Sequence, residues 1–413
     1  MTPDRPICFI VTPSDPVFET VIAPAAADAG LDPLRGPSGP LAKSAGEQFV
    51  LARFAVADVT AADSELHYYL GLRDALRPGS TLLVSPEGSR ALQMVIAAPY
   101  RLDADVAKAR QAVAHALQEM QKRSRARRLF ALLELATDHT KTDVFREDVS
   151  YDPHWKQRLG QARKEGAEAV RTIEREIGDL TKTETGVLVD LLLSYRAVSA
   201  WTDMTALAGR LPPPVAATAL VREQLAFALN RLQQRDEAEA VLRRLLDERG
   251  PSSETCALLG RIYKDRWEEA LKTGAPSASG YLEQSIGAYL AGFEADWRDA
   301  YPGVNAVTLM ELKDPPDDRR KRVLPVVRYA VERKIAQGHP DYWDYATLVE
   351  LAVLAEDRAE AEKMLAETLA RVREKWEPET TARNLRLIRE ARERRGGRAA
   401  WAEEIERTLL HAA

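Results

Sequence analysis

Four stretches of the chain carry residue types suited to an anionic, base-containing ligand. Arg261, Lys264 and Asp265 fall within one short segment, and Tyr301 and Asn305 bracket a Pro-Gly-Val run. Tyr342, Trp343 and Thr347 come after an aspartate, and Arg383 and Arg386 stand three apart. Guanidinium groups fork onto phosphate oxygens, an indole or phenol stacks on a base, and an amide can pair with a base edge. The same groups have a structural reading, in which the aromatics fill helix contacts and the charges pair between helices. Ser-His-Asp order, a Walker loop, zinc-ligand spacing and GxGxxG are all missing from the sequence. No metal, cofactor or complete catalytic centre is therefore expected. His139, Asp143, Asp148 and His154 match no metal-ligand spacing and read as a polar loop with its edge.

Helices carry these groups. Apolar residues recur at helical spacing through Leu258, Leu259 and Ile262, and again through Leu282, Ile286, Tyr289, Leu290 and Phe293. The segment Tyr301-Pro-Gly-Val-Asn305 reads as a turn after which a helix restarts near Val304. Residues 225–248 resemble residues 348–370: each has an apolar helix, a turn with Asp (Asp236, Asp357) and an Ala-rich helix, in that order. The two aspartates are 121 positions apart (236 to 357), near three and a half units of a repeat of about 34 residues, so insertions must break the phase. Pro378 opens a late helix, Gly396-Gly397 breaks it, and Trp401–Leu410 caps the stack. Such stacks bury one continuous core and leave a concave binding surface.

The first hundred residues have another rhythm. Short apolar runs at Ile7–Val11, Val56–Val59 and Thr81–Val84 alternate with helical patterns at Phe18–Ala29, Ala45–Phe54 and Glu65–Leu76. That alternation implies a right-handed, doubly wound parallel sheet, with a crevice at the carboxyl ends of its strands. Thr12, Ser14, Asp58, Thr60 and Asp63 would form its polar rim. A long helix then carries Lys122, Arg123, Arg125, Arg127 and Arg128; without interleaved aromatics this cluster reads as a solvated face instead of a nucleic-acid site. The expected organisation is an α/β Rossmann-like domain (1–103), a helical linker region (104–180) and an all-α solenoid (181–413).

With 413 residues, 45% hydrophobic and 29% charged, and a net charge of −5, no global field favours nucleic acid or an anionic membrane. The two cysteines, Cys8 and Cys256, read as buried thiols of a cytosolic protein. No leader pattern opens the chain and no run is long enough to span a bilayer, so a cytoplasmic protein is expected.

Two resemblances sharpen the reading. The segments GRIYKD, YPGVNAVTL and Asp341-Tyr-Trp-Asp-Tyr-Ala-Thr347 together resemble the tetratricopeptide region of apoptosis signal-regulating kinases, and bacterial relatives labelled "TRAFs-binding domain", over roughly residues 180–395. The run FAVADVTAADSELHYYLGL resembles the nucleoside deoxyribosyltransferase and TIR-like superfamily over about 100 residues. That second family carries a catalytic Glu before Leu-Gly; here Tyr69 precedes Leu70-Gly71, and a phenol with a pKa of about 10 replaces a carboxylate poorly. Only Glu65, one helical turn earlier, could stand in. The resemblances imply a non-enzymatic signalling, stress or defence sensor. Its repeats would bind a nucleotide-derived small ligand or a protein partner, and a homo-oligomer is compatible with that role. The alternatives are an N-glycosidase or deoxyribosyltransferase-type enzyme acting on NAD or nucleosides, and a pure protein–protein adaptor.

Overall fold

The computed structural model describes residues 5–60, 64–77, 79–86, 97–100, 105–126, 151–338, 340–397 and 400–411. The chain divides into two compact units, Met1–Leu232 and Gln233–Ala413. The helices of residues 185–231 are thereby grouped with the sheet, not with the later repeats. The polar stretch 137–150, with His139, Asp143 and Asp148, lies outside the described residues, as does Asp63 of the expected rim. The side chains of the basic cluster at 122–128 lie outside them too.

The first unit is built on five parallel strands, β1 (Ile7–Val11), β2 (Asp32–Arg35), β3 (Phe54–Asp58), β4 (Thr81–Pro86) and β5 (Ala97–Tyr100), in the order β2-β1-β3-β4-β5. Alternate side chains serve opposite faces. Cys8, Ile10, Phe54, Val56, Leu82 and Val84 pack with Val21, Ile22, Val113 and Leu117 on one side. Phe9, Val11, Ala55, Ala57 and Leu83 pack with Phe49 and Leu66 on the other. Helices therefore cover both faces, as an all-parallel sheet requires. The sequence pattern missed β2 because its residues, Asp-Pro-Leu-Arg, are half polar; an edge strand tolerates them, and the proline needs no ladder hydrogen bond there. The expected helix at 18–29 begins at Asp15 and passes through a wider π turn at Phe18–Ile22 before Pro24. A proline lacks the N–H that a continued α ladder would need.

Among the described residues, eight longer helices complete this unit: α1 (Lys43–Leu51), α2 (Ser64–Leu76), α3 (Val106–Ala126), α4 (Pro153–Glu165), α5 (Ala167–Ile177), α6 (Thr185–Ala197), α7 (Trp201–Ala208) and α8 (Ala219–Arg231). Leu159 and Ala162 of α4 and Val170 and Ile173 of α5 share one core with Leu188, Leu191 and Leu192 of α6. Residues on both sides of position 180 thus belong to a single hydrophobic cluster.

The second unit holds α9 (Arg235–Arg249), α10 (Ser253–Thr273), α11 (Ala278–Ala295), α12 (Ala300–Leu312), α13 (Arg320–Ala336), α14 (Tyr342–Leu354), α15 (Arg358–Leu369), α16 (Trp376–Arg394) and α17 (Ala400–His411). Ser199, Gln233 and Glu356 adopt left-handed backbone (φ 56°, 64° and 60°), each two residues past the end of a helix. This shared joint marks the repeating helical hairpin, and Ser199 and Gln233 stand one 34-residue period apart (199 to 233). Tyr301–Asn305, expected as a turn, is instead the first part of α12. Asp299 caps the helix by accepting from the Tyr301 N–H, and Pro302 is tolerated in the first turn. A Cβ at Gly303 would lie 2.6 Å from Val327 and 2.8 Å from Phe293, so a glycine is needed for α12 to pack there.

Candidate functional site

Helix α16 reaches polar residues of α10, α12 and α14. Arg383 of α16 pairs with Glu268 of α10, Asn384 donates to Glu350 of α14, and Arg392 donates to Glu311 of α12. Leu385 and Ile388 meanwhile sit in the core of the unit. Polar groups expected to face an open concavity are thus engaged in part by the chain's own helix.

Within this cluster Lys264 is distinctive. Its side chain is 7% exposed, and among the described residues no carboxylate lies within ion-pair distance. Burial lowers its pKa and Arg261 adds to that, while Glu268 and Glu350 act in the opposite direction. Glu350 is 6% exposed and accepts hydrogen bonds from Thr308 of α12 and, at 3.2 Å, from Asn384. Burial raises the Glu350 pKa against the pull of Thr308 and Lys264. A buried ammonium and a buried carboxylate thus influence each other without direct contact. Nearby, Tyr289 is fully buried, and burial holds its phenol well above the ordinary pKa, with Tyr301 adding to the shift. Its ring lies against Gly260, where a Cβ would approach to 2.8 Å.

The other expected site residues divide. Arg261 is in the cluster, ion-paired to Asp265 at 3.0 Å and beside Tyr289 and Tyr301. Tyr301 is half exposed and meets the Tyr289 ring edge-on at 6.3 Å. Asn305 spends its amide on the Tyr301 carbonyl one turn back, at 2.9 Å. Tyr342 is a core residue whose hydroxyl bonds Thr381 of α16 at 2.9 Å. Trp343 is half-buried between Tyr342 and Trp376, and the Thr347 hydroxyl bonds the Trp343 carbonyl at 2.7 Å. Arg386 leaves the cluster altogether: it reaches Glu406 of α17, 3.6 Å away, beside Arg389. A three-residue step on a helix falls short of a full turn by about 60°, enough to send Arg383 and Arg386 to different neighbours.

Sequence reasoning passed over Glu268, Thr308, Glu350 and Asn384. The signal was present in TLVELAVLA, where an acid interrupts an apolar run that must be buried. The same holds for Glu311 in AVTLMEL, which is 2% exposed and ion-paired to Arg320, Arg392 and Arg395.

In the sheet unit the crevice position lies between β1 and β3, where strand order reverses. Thr12 donates to Asp58 across it at 2.9 Å, and Asp58 also accepts from the Thr60 N–H at 3.0 Å. Tyr69 packs its ring against the Gly46 backbone, where a Cβ would come within 2.0 Å. Burial raises its pKa, with Glu47 adding, so the phenol stays protonated at neutral pH. Glu65 is exposed in the first turn of α2. A surface depression of about 500 Å³ in this unit is lined by Arg171, Glu174, Arg175, Asp203 and Arg210, whose charges are largely paired with one another. No described helix is long and apolar enough to cross a membrane.

A family model described as the MAP3K TRAFs-binding domain matches residues 66–407. The match begins inside α2, well before the repeat motifs. The chain is also 29% identical over 221 residues to the mitogen-activated protein kinase kinase kinase nsy-1 of Caenorhabditis elegans. That alignment covers 48% of this chain and 14% of the kinase, so the chain spans a small part of that relative's length.

Proposed function

The chain belongs to the MAP3K TRAFs-binding domain family, and from that premise we propose that it is a non-enzymatic signalling module whose helical unit binds a protein partner. The observation that carries this reading is the state of the cations. Arg261, Arg383 and Arg386 each have a carboxylate within 4.0 Å in the free protein. A phosphate ligand would have to break those pairs, whereas a protein partner can bind around them. Titration of the full chain with a purified TRAF C-terminal domain, monitored by calorimetry, tests the reading: saturable binding is expected, and its absence overturns it.

A second reading keeps the nucleotide-derived ligand. It is supported by Lys264, a buried ammonium with no carboxylate within ion-pair distance among the described residues. A ligand phosphate contacting Lys264 would give a charge-assisted bond of roughly 1.5–3 kcal/mol. A thermal-shift screen against nucleotides and dinucleotides decides it: a rise in melting temperature that Lys264→Met abolishes puts this reading ahead.

A further inference from the structure

Helix α13 turns Val323, Leu324, Val327, Ala330 and Val331 inward, and Val327 and Val331 lie in the core. Its opposite side is organised as well. Arg322, Val326, Tyr329 and Arg333 stand at i, i+4, i+7 and i+11, a spacing that confines them to an arc of about 60°. Helices use this spacing for the stripe that packs against a neighbour. Here it is exposed: Val326 is 42% and Tyr329 53% accessible, and Trp297, 49% accessible, stacks on Tyr329 at 6.5 Å. An apolar and aromatic centre is thus bracketed by two arginines about 16 Å apart along the helix.

The charges on α13 say what fits. Arg320 pairs with Glu311, Lys321 with Asp318, Arg328 with Glu332 and Glu360, and Lys334 with Asp344. Glu332, the acid on the exposed side, is held by Arg328 at 3.0 Å. Arg322 and Arg333 have no carboxylate within ion-pair distance among the described residues. The two cations of the stripe are therefore free while the cations outside it are engaged. A second copy of the chain is a poor occupant, because antiparallel or parallel apposition of the same stripe sets arginine against arginine. We propose that this face docks an acidic amphipathic helix of a partner protein, with its apolar residues on Val326, Tyr329 and Trp297 and its carboxylates on Arg322 and Arg333.

The test uses the full chain and a fluorescein-labelled helical peptide bearing glutamate, leucine, leucine and glutamate at the spacing of the stripe. A counterpart with lysine in place of glutamate serves as control. Saturable binding of the acidic peptide is expected, weakened at least tenfold by Tyr329→Ala and by the double change Arg322→Glu, Arg333→Glu. It should also weaken as salt is raised, with thermal melts unchanged because every altered side chain is exposed. No saturable binding, equal binding of the lysine peptide, or unchanged affinity in the double variant overturns the proposal. So does a dimer in sedimentation velocity that Tyr329→Ala dissolves, or sedimentation with phosphatidylserine vesicles that the double variant abolishes. TRAF-domain titration of the same double variant keeps this proposal separate from the functional reading: binding there can persist when the peptide no longer binds.

Discussion

Glu311 and Glu350 lie in one helical unit, on neighbouring helices, and are almost equally buried. Their surroundings differ completely. Glu311 is met by three guanidinium groups, and Arg392 and Arg395 also donate to the carbonyls of Val353, Leu354, Glu311 and Lys313. Glu350 is met by a hydroxyl and an amide, with its cation, Lys264, held off and unpaired. The first arrangement offsets the desolvation of its charges with oriented bonds from Arg392 and Arg395, which tie α16 to the stack, while Arg320 adds an ion pair without hydrogen-bond geometry. The second leaves charge in a poorly compensated place, which costs stability and so marks the better candidate for function.

The contrast is broken most directly at Glu311. Glu311→Ala removes the carboxylate that three guanidinium groups share, so it should cost about 3–5 kcal/mol in urea unfolding. A loss below about 1 kcal/mol, the scale of an exposed ion pair, would mean the network is ornamental. Glu239 supplies an intermediate case: burial works to raise its pKa, but hydrogen bonds from Tyr263, Arg243 and Arg266 prevail and bring it down to about 2. A depressed carboxylate stabilises the fold above its unfolded pKa of 4.5 and loses that contribution as pH falls toward 2. Glu239→Gln should therefore lower the melting temperature at pH 7 and flatten its decline between those pH values. Lys264→Met should move the other way. It removes an unpaired buried ammonium while roughly keeping volume, so a gain of about 1 kcal/mol is expected at pH 7. The gain should shrink toward pH 10.5: a lysine whose folded pKa is lowered destabilises the fold below that pKa, and the penalty fades as pH rises to the unfolded value. A destabilised Lys264→Met protein would show that the lysine is structural after all. The smallest effect belongs to the sheet unit. Incubation with NAD or deoxynucleosides should release no free base, and Glu65→Gln should change nothing; turnover lost in that variant would restore the enzymatic reading.

How far the site could be read in advance depended on range. The aromatics and cations of the four segments do reach the same helical unit, because their helices were legible from apolar spacing. Which of them stayed available was not legible. Tyr342 spends its hydroxyl on Thr381 and Arg386 its charge on Glu406, each through a partner that only packing supplies, while Asn305 spends its amide on its own helix. Tyr301 was misplaced for a local reason, since a Pro-Gly pair signals a turn in most contexts but here opens a capped helix.

By itself the sequence determined the features that local periodicity and residue identity encode: a parallel sheet ahead of stacked helices, and cysteines in core elements. Apolar residues at a period of two or of 3.6 encode the faces to be buried, and that information lies within a few residues of each position. Tertiary structure alone decided that α16 would engage polar groups of α10, α12 and α14, that Thr12 and Asp58 would bridge the end of the sheet, and that Lys264 would be buried without an ion pair among the described residues. Those outcomes depend on which long side chains meet across tens to more than a hundred residues of chain, as Arg383 meets Glu268. A charged group's energy is set by the partners and solvent around it in space, and neither is written in its neighbours along the chain.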